Sequence, residues 1–314
     1  MSPFERRTRT RTRPARGVSL IELLIAVVIG LLLTTLVIQG FVATSSNART
    51  NSVVSEYQTN GRAALETLKR EVRHAALHPM VWESGQLTTN ATVEAKNYGC
   101  GAGVTTDLSL GITAWNDENP YSASCLANGT DRRYARGDAL MLRRTALATA
   151  TAFDANAPYA RVSYGTANLF LGGETPAALA APTFDYRLVS DLYYINDFTT
   201  SPTESPKVPA LYRLTLSAGP NPTLVPQLVA SNVEHFQIQF GQVMDPTGGI
   251  RYFDANQVPK DTRIQSARIW LLMRASEPES GFKSETFPMG DVTYAPNDAY
   301  RRIVLTATIN LRNS

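Results

Sequence analysis

Residues 23–42 carry no charge, and only Thr34, Thr35 and Gln39 interrupt their apolar character. As a helix this run is about 30 Å long, the thickness of a hydrocarbon core. It is therefore read as a membrane-spanning helix, which constrains the rest of the chain to one side of a bilayer. A single carboxylate, Glu22, stands immediately before it. Placing a carboxylate in hydrocarbon costs about 2.5–3.5 kcal/mol even on mild insertion scales. A plain anchor has no reason to carry one.

The flanks set the orientation. Residues 1–17 hold six arginines (Arg6, Arg7, Arg9, Arg11, Arg13 and Arg16) against one acid, Glu5, a local charge of +5. The whole chain of 314 residues is only +3, so the remainder is −2. Arginines before an apolar run keep the N-terminus in the cytoplasm and send the downstream residues across the bilayer. A cleaved secretory signal has an apolar core of about 7–15 residues followed by a small-residue site. Here the core is longer, and the small residue Gly17 precedes it. The weakly acidic body offers no basic face, so no nucleic-acid partner is expected.

After the polar stretch 45–52 a helical period returns. Val53, Tyr57, Gly61, Ala64, Leu65, Leu68, Val72, Ala75 and Ala76 fall on one face, with Glu56, Arg62, Glu66, Lys69, Arg70 and Arg73 on the other. Glu66 and Arg70 are spaced as a supportive i,i+4 pair. His78-Pro79 is expected to end the helix. A continuous helix over residues 18–77 would be about 90 Å long. Gly61 costs it about 1 kcal/mol against alanine, marking either close packing or a bend. Residues 82–128 read as loop-rich. Strand-like alternation appears at 138–144, 191–195, 210–216, 233–240, 263–274 and 301–311. Residues 245–257 read as a turn-rich excursion. The fold class expected is α+β, a long N-terminal helix against a mainly antiparallel sheet.

The order Gly17-Val18-Ser19-Leu20-Ile21-Glu22 leading into the apolar run resembles the type IV prepilin signal. The resemblance implies cleavage after Gly17 by prepilin peptidase, methylation of the new N-terminal Val18, and Glu22 as the fifth mature residue, docking onto the ammonium of a neighbouring subunit. Further landmarks resemble the PilW family of minor pilins: "QTNGRAALETLKREVRHAAL", "GDALMLRR", "VEHFQIQFG", "IQSARIWLLMRAS" and "YRRIVLTATINLRN", in that order. They imply a pilin-like fold with a leader (1–17), a transmembrane segment (18–44), its amphipathic continuation (45–79) and a periplasmic β-rich domain (80–314). The implied role is a minor pilin of type IV pilus assembly and twitching motility, in a priming or tip complex, since some 235 residues are bulky for a repeated subunit. Implied partners are other minor pilins, the major pilin, the inner membrane and a tip adhesin. The chain would reside in the inner membrane and then in the pilus. Alternatives are a tip recognition module and a pseudopilin of a type II secretion system.

Little else carries chemistry. Cys100 and Cys125 are the only cysteines. In an exported domain an even pair favours a disulfide, the alternative being two free buried thiols. His74 and His78 stand four apart, but no HExxH pattern accompanies them, and His235 is the only other histidine. "GCGAG" (99–103) lacks the strand-to-helix context of a phosphate loop. Asp245 and Asp254 lack the spacing of an EF-hand loop. Trp82, Tyr98, Trp115 and Tyr121 are read as core aromatics rather than a sticky patch. No enzyme, cofactor or metal site is expected.

Overall fold

The computed structural model describes residues 17–81, 86–127, 132–244, 248–257 and 264–311. The arginine-rich leader, Trp82 and Asp245 lie outside them. The chain forms two compact units, residues 1–52 and 53–314. One helix, α1 (Leu20–His74), contributes to both.

The second unit is built from β1 (Leu87–Thr88), the short helix α2 (Ala91–Glu94), β2 (Ile112–Trp115), β3 (Ala139–Thr149), β4 (Pro158–Ser163), β5 (Thr166–Leu171) and β6 (Phe184–Asn196). It continues with β7 (Ala210–Leu216), β8 (Leu224–Ser231), β9 (Val233–Met244), β10 (Gly249–Asp254), β11 (Ile264–Arg274), β12 (Phe287–Met289), β13 (Val292–Tyr294) and β14 (Arg302–Asn310). An eight-stranded sheet runs β1-β5-β4-β6-β3-β2, with β7 also on β6 and β8 on β7. Only its β1–β5 pair is parallel. A four-stranded antiparallel sheet runs β10-β9-β11-β14, and β12–β13 form a separate hairpin. This is the α+β, mostly antiparallel architecture expected from the sequence.

The helical stripe does what its period requires. Tyr57, Ala64, Leu68 and Val72 are buried in one core with Phe236, Ile238, Phe240, Ile269, Leu271 and Met273 of the four-stranded sheet. Leu140, Leu142, Tyr193 and Ile195 of the larger sheet join them. Each fully buried aliphatic side chain of this kind contributes about 1.5–3 kcal/mol. Gly61 sits where this packing is tightest. A Cβ built there would lie 2.5 Å from Leu305 Cδ1 and 2.8 Å from Met273 Cγ. The glycine thus serves close approach of helix to sheet, within an unbroken helix.

The helix ends at His74, earlier than the proline rule places it. Ala76 adopts a left-handed conformation (φ 55°). Its N–H leaves the helix to donate to Arg143 O of β3 at 3.0 Å. Thr145 then donates to Leu77 O from both its N–H (3.1 Å) and its hydroxyl (2.9 Å). Pairing with β3 therefore stops the helix before Pro79 can. His74 is the last helical residue and His78 lies beyond it, so the two do not share a helix face. The surface ion pair also differs from expectation: Glu66 pairs with Lys69 at 2.6 Å, and Arg70 with Glu71 at 3.2 Å.

Several strands escaped the sequence reading. Within 245–257, β10 returns along β9, pairing Ile250 with Val243 and Tyr252 with Gly241. The expected strand at 191–195 is the second half of β6, which begins at Phe184. At the start of β3, Gly137 takes φ 79°, and a Cβ there would stand 2.6 Å from Phe236 O. Asp138 next donates its N–H to Phe236 O and accepts the Ile238 N–H on its carboxylate at 2.7 Å. Its other oxygen accepts the Asp117 N–H at 3.1 Å. These two residues join the sheets, which gives "GDALMLRR" a structural meaning.

The candidate assembly site

The N-terminal apolar segment begins with a local device. Ser19 O accepts the Leu23 N–H at 3.1 Å, and the Glu22 carboxylate accepts the Ser19 N–H at 2.9 Å. This is one arm of the S-x-x-E capping box, in which the acid satisfies an amide that the helix leaves without a partner. The prepilin resemblance gives Glu22 a docking role only; the S-x-x-E spacing of Ser19 and Glu22 is the signal that points to the cap.

Seventeen large apolar side chains line the segment between Val18 and Val42, each 48–81% exposed. Isolated exposed apolar residues are ordinary, but a continuous surface of this kind requires lipid or neighbouring helices. The threonine hydroxyls are already satisfied. Thr34, Thr35 and Thr44 donate their hydroxyls to Gly30 O, Leu31 O and Gly40 O at 2.7–2.8 Å. Bonds to the carbonyl four residues back are what a hydroxyl facing hydrocarbon needs. The segment passes the length and composition requirements of a membrane span.

In the second unit Cys100 and Cys125 form a disulfide with Cα atoms 4.7 Å apart. It is buried with Tyr98, Leu126, Met141, Leu192, Tyr194, Tyr212 and Leu214. The bridged loop therefore covers the face of the larger sheet opposite α1, rather than dangling from it. Gly99, Gly101 and Gly103 all take positive φ, the loop conformation that "GCGAG" supplies. Tyr98 is buried, and Trp115 packs edge-on to Tyr121 with ring centroids 5.3 Å apart. Among the described residues no group of three His, Cys, Asp or Glu side chains is placed to hold a metal.

Buried charges are what sequence reading missed, because no spacing rule reveals them. Arg143, 3% exposed, donates to Val104 O (2.8 Å), Leu110 O (2.7 Å) and Thr113 Oγ1 (3.0 Å). Glu71 of α1 meets Arg144 of β3 at 3.0 Å. Burial works against its ionisation, but Arg144 and Arg70 outweigh that and hold its carboxyl below the usual range. Arg302 is held by Glu234 and by Asp298, the latter through bonds of 2.6 and 2.7 Å. Burial also pulls the imidazoles of His78 and His235 down to about 4, so both are neutral. Burial pushes the Asp138 carboxyl up to about 8 against its two N–H donors.

A capped apolar helix, exposed among the described residues and preceding a disulfide-stapled β-rich unit, is consistent with a pilin-like fold. The family model described as the prokaryotic N-terminal methylation motif matches residues 12–38. The model described as PilW, type IV pilus-assembly protein W, matches residues 192–313, from β6 through β14. Together the two matches support a PilW-like type IV pilin, a minor pilin of the type IV pilus. No curated protein and no solved structure matches it significantly.

Proposed function

We propose that the chain is cut after Gly17 by prepilin peptidase, methylated at Val18, and assembled with other minor pilins into a complex that primes the pilus and caps its tip. Residues 18–44 hold it in the inner membrane with residues 80–314 in the periplasm, and the subunit then leaves with the pilus. The observation that carries this reading is the uncovered apolar helix headed by Glu22. Among the described residues that carboxylate accepts the Ser19 N–H of its own first turn, a bond that a neighbour's ammonium can replace. Opposite charges in a low-dielectric surround attract strongly, and misregister leaves both unpaired at a cost of several kcal/mol.

The test separates processing from docking. Mass spectrometry of the mature protein begins at Val18, and Gly17→Asp retains the leader. Glu22→Ala is still processed but loses crosslinking to partner minor pilins and surface pili, while Glu22→Asp is intermediate. A mature chain starting at Met1 refutes the processing step. A Glu22→Ala chain that crosslinks and piliates like wild type refutes docking.

A further inference from the structure

Open sheet edges invite foreign strands, and proteins guard them with short strands, prolines or charges. Most edges here are guarded in that way. β1 has two residues and β2 four. β8 carries Pro226. β10 is six residues long and carries Arg251 and Asp254. β14 is different. It has nine residues and ends the four-stranded sheet, pairing only with β11 among the described residues. After Arg302 its eight remaining residues, IVLTATIN, contain no charge, proline or glycine.

The backbone register shows which groups are open. Ala275 N–H donates to Arg301 O at 2.9 Å, and Leu311 N–H to Gln265 O at 2.8 Å. Odd-numbered residues of β14 therefore bond to β11, and Val304, Thr306 and Thr308 turn their N–H and C=O groups outward. Thr306 and Thr308 are exposed. A row of alternating donors and acceptors along an extended strand recognises one kind of ligand, another extended backbone.

We propose that the β14 edge receives a strand from a neighbouring, different pilin-type subunit, extending the four-stranded sheet across the subunit boundary. The inference rests on the pilin assembly reading, in which Glu22 docks onto a neighbour's N-terminal ammonium and so sets the two N-terminal helices side by side in the same sense. The only symmetric use of this edge is β14 against β14 of a second copy about a two-fold axis, which is antiparallel. Tyr57 lies beside Arg301 and Arg302, and Gly61 lies against Leu305, so residues 53–74 of α1 run in the same sense as β14. A two-fold partner would reverse that helix end for end, contrary to alignment. A different subunit, presenting its own strand, meets the edge without that reversal.

The experiment uses the full-length chain in detergent, alone and co-expressed with the other pilin-type subunits of its pilus system. Amide exchange of Val304, Thr306 and Thr308 should slow at least tenfold in the complex, with Ile303 and Leu305 little changed. Thr306→Pro removes an outward N–H and no bond to β11. It should melt like wild type yet lose co-purification, whereas Thr306→Val keeps it. If the proline variant does not fold, exchange in the wild-type complex decides. A wild-type complex with unprotected edge amides, or a folded Thr306→Pro chain that co-purifies normally, overturns the strand proposal and leaves the pilin reading standing. So does edge protection that appears in a concentration-dependent dimer of this chain alone. A wild-type chain that binds no pilin-type subunit overturns both.

Discussion

Replacing Arg143 by methionine removes a buried guanidinium of similar length and leaves its acceptors behind. The three are Val104 O, Leu110 O and Thr113 Oγ1. Hydrogen bonds from a charged donor contribute about 1.5–3 kcal/mol each, and an unsatisfied buried acceptor costs about 1–3 kcal/mol. Loop 104–113 can shift to rehydrate part of what is lost, and methionine regains some apolar burial. The net loss expected is about 3 kcal/mol. No carboxylate lies within ion-pair distance of Arg143 among the described residues, so the loss should be equal at pH 6 and pH 8. Urea denaturation of the detergent-solubilised chain measures it, and limited proteolysis should show new cleavage in 104–113 before global unfolding. Arg143→Lys, keeping the charge without the planar fork, should fall between. A methionine variant within about 0.5 kcal/mol of wild type, with an uncut loop, would falsify the view that this cation staples the disulfide loop to β3.

Three further outcomes can be checked on the same chain. Cys100→Ser should lower stability by about 3 kcal/mol, as expected for a loop of 25 residues, read from the urea midpoint. Gly61→Leu should lower it by about 2 kcal/mol in thermal melts, since overpacking against Leu305 and Met273 outweighs the gain in helix propensity. His78 and His235 titrate near 4 when folded and about 6.5 when unfolded, so the unfolded chain binds the extra protons. Stability should therefore fall as pH drops from about 6.5 to 4, by up to about 3 kcal/mol per imidazole, and His78→Phe should flatten that slope.

What the sequence made legible is what periodicity and short spacings encode. The stripe Tyr57, Ala64, Leu68, Val72 is a one-dimensional signal of a helix face, and it emerged buried as read. The prepilin-like segment, the strand at 210–216 and the cysteine pair are equally local. The misses share a different physics. The helix stops at His74 because Ala76 bonds to Arg143, a partner 67 positions along the chain from it. β10 lacks clean alternation because it is a guarded edge strand with its charges kept in view of solvent, and it owes its existence to β9.

Buried ions lie furthest from any sequence rule. A lone Arg143, or Arg302 between Glu234 and Asp298, looks like any surface residue until the fold removes its water. Once dry, such a group must be satisfied completely, because an unpaired buried charge costs several kcal/mol. That demand makes these residues determinants of the loop conformations around the sheets. The β14 edge shows the converse. Its uncharged run was read from the sequence as one more strand, and only the sheet order reveals that half its backbone groups face outward. The same eight residues would be unexceptional in the middle of a sheet. At an edge, with every other described border short, charged or broken by proline, they are the place where this subunit has left a strand's worth of hydrogen bonds to be made by something else.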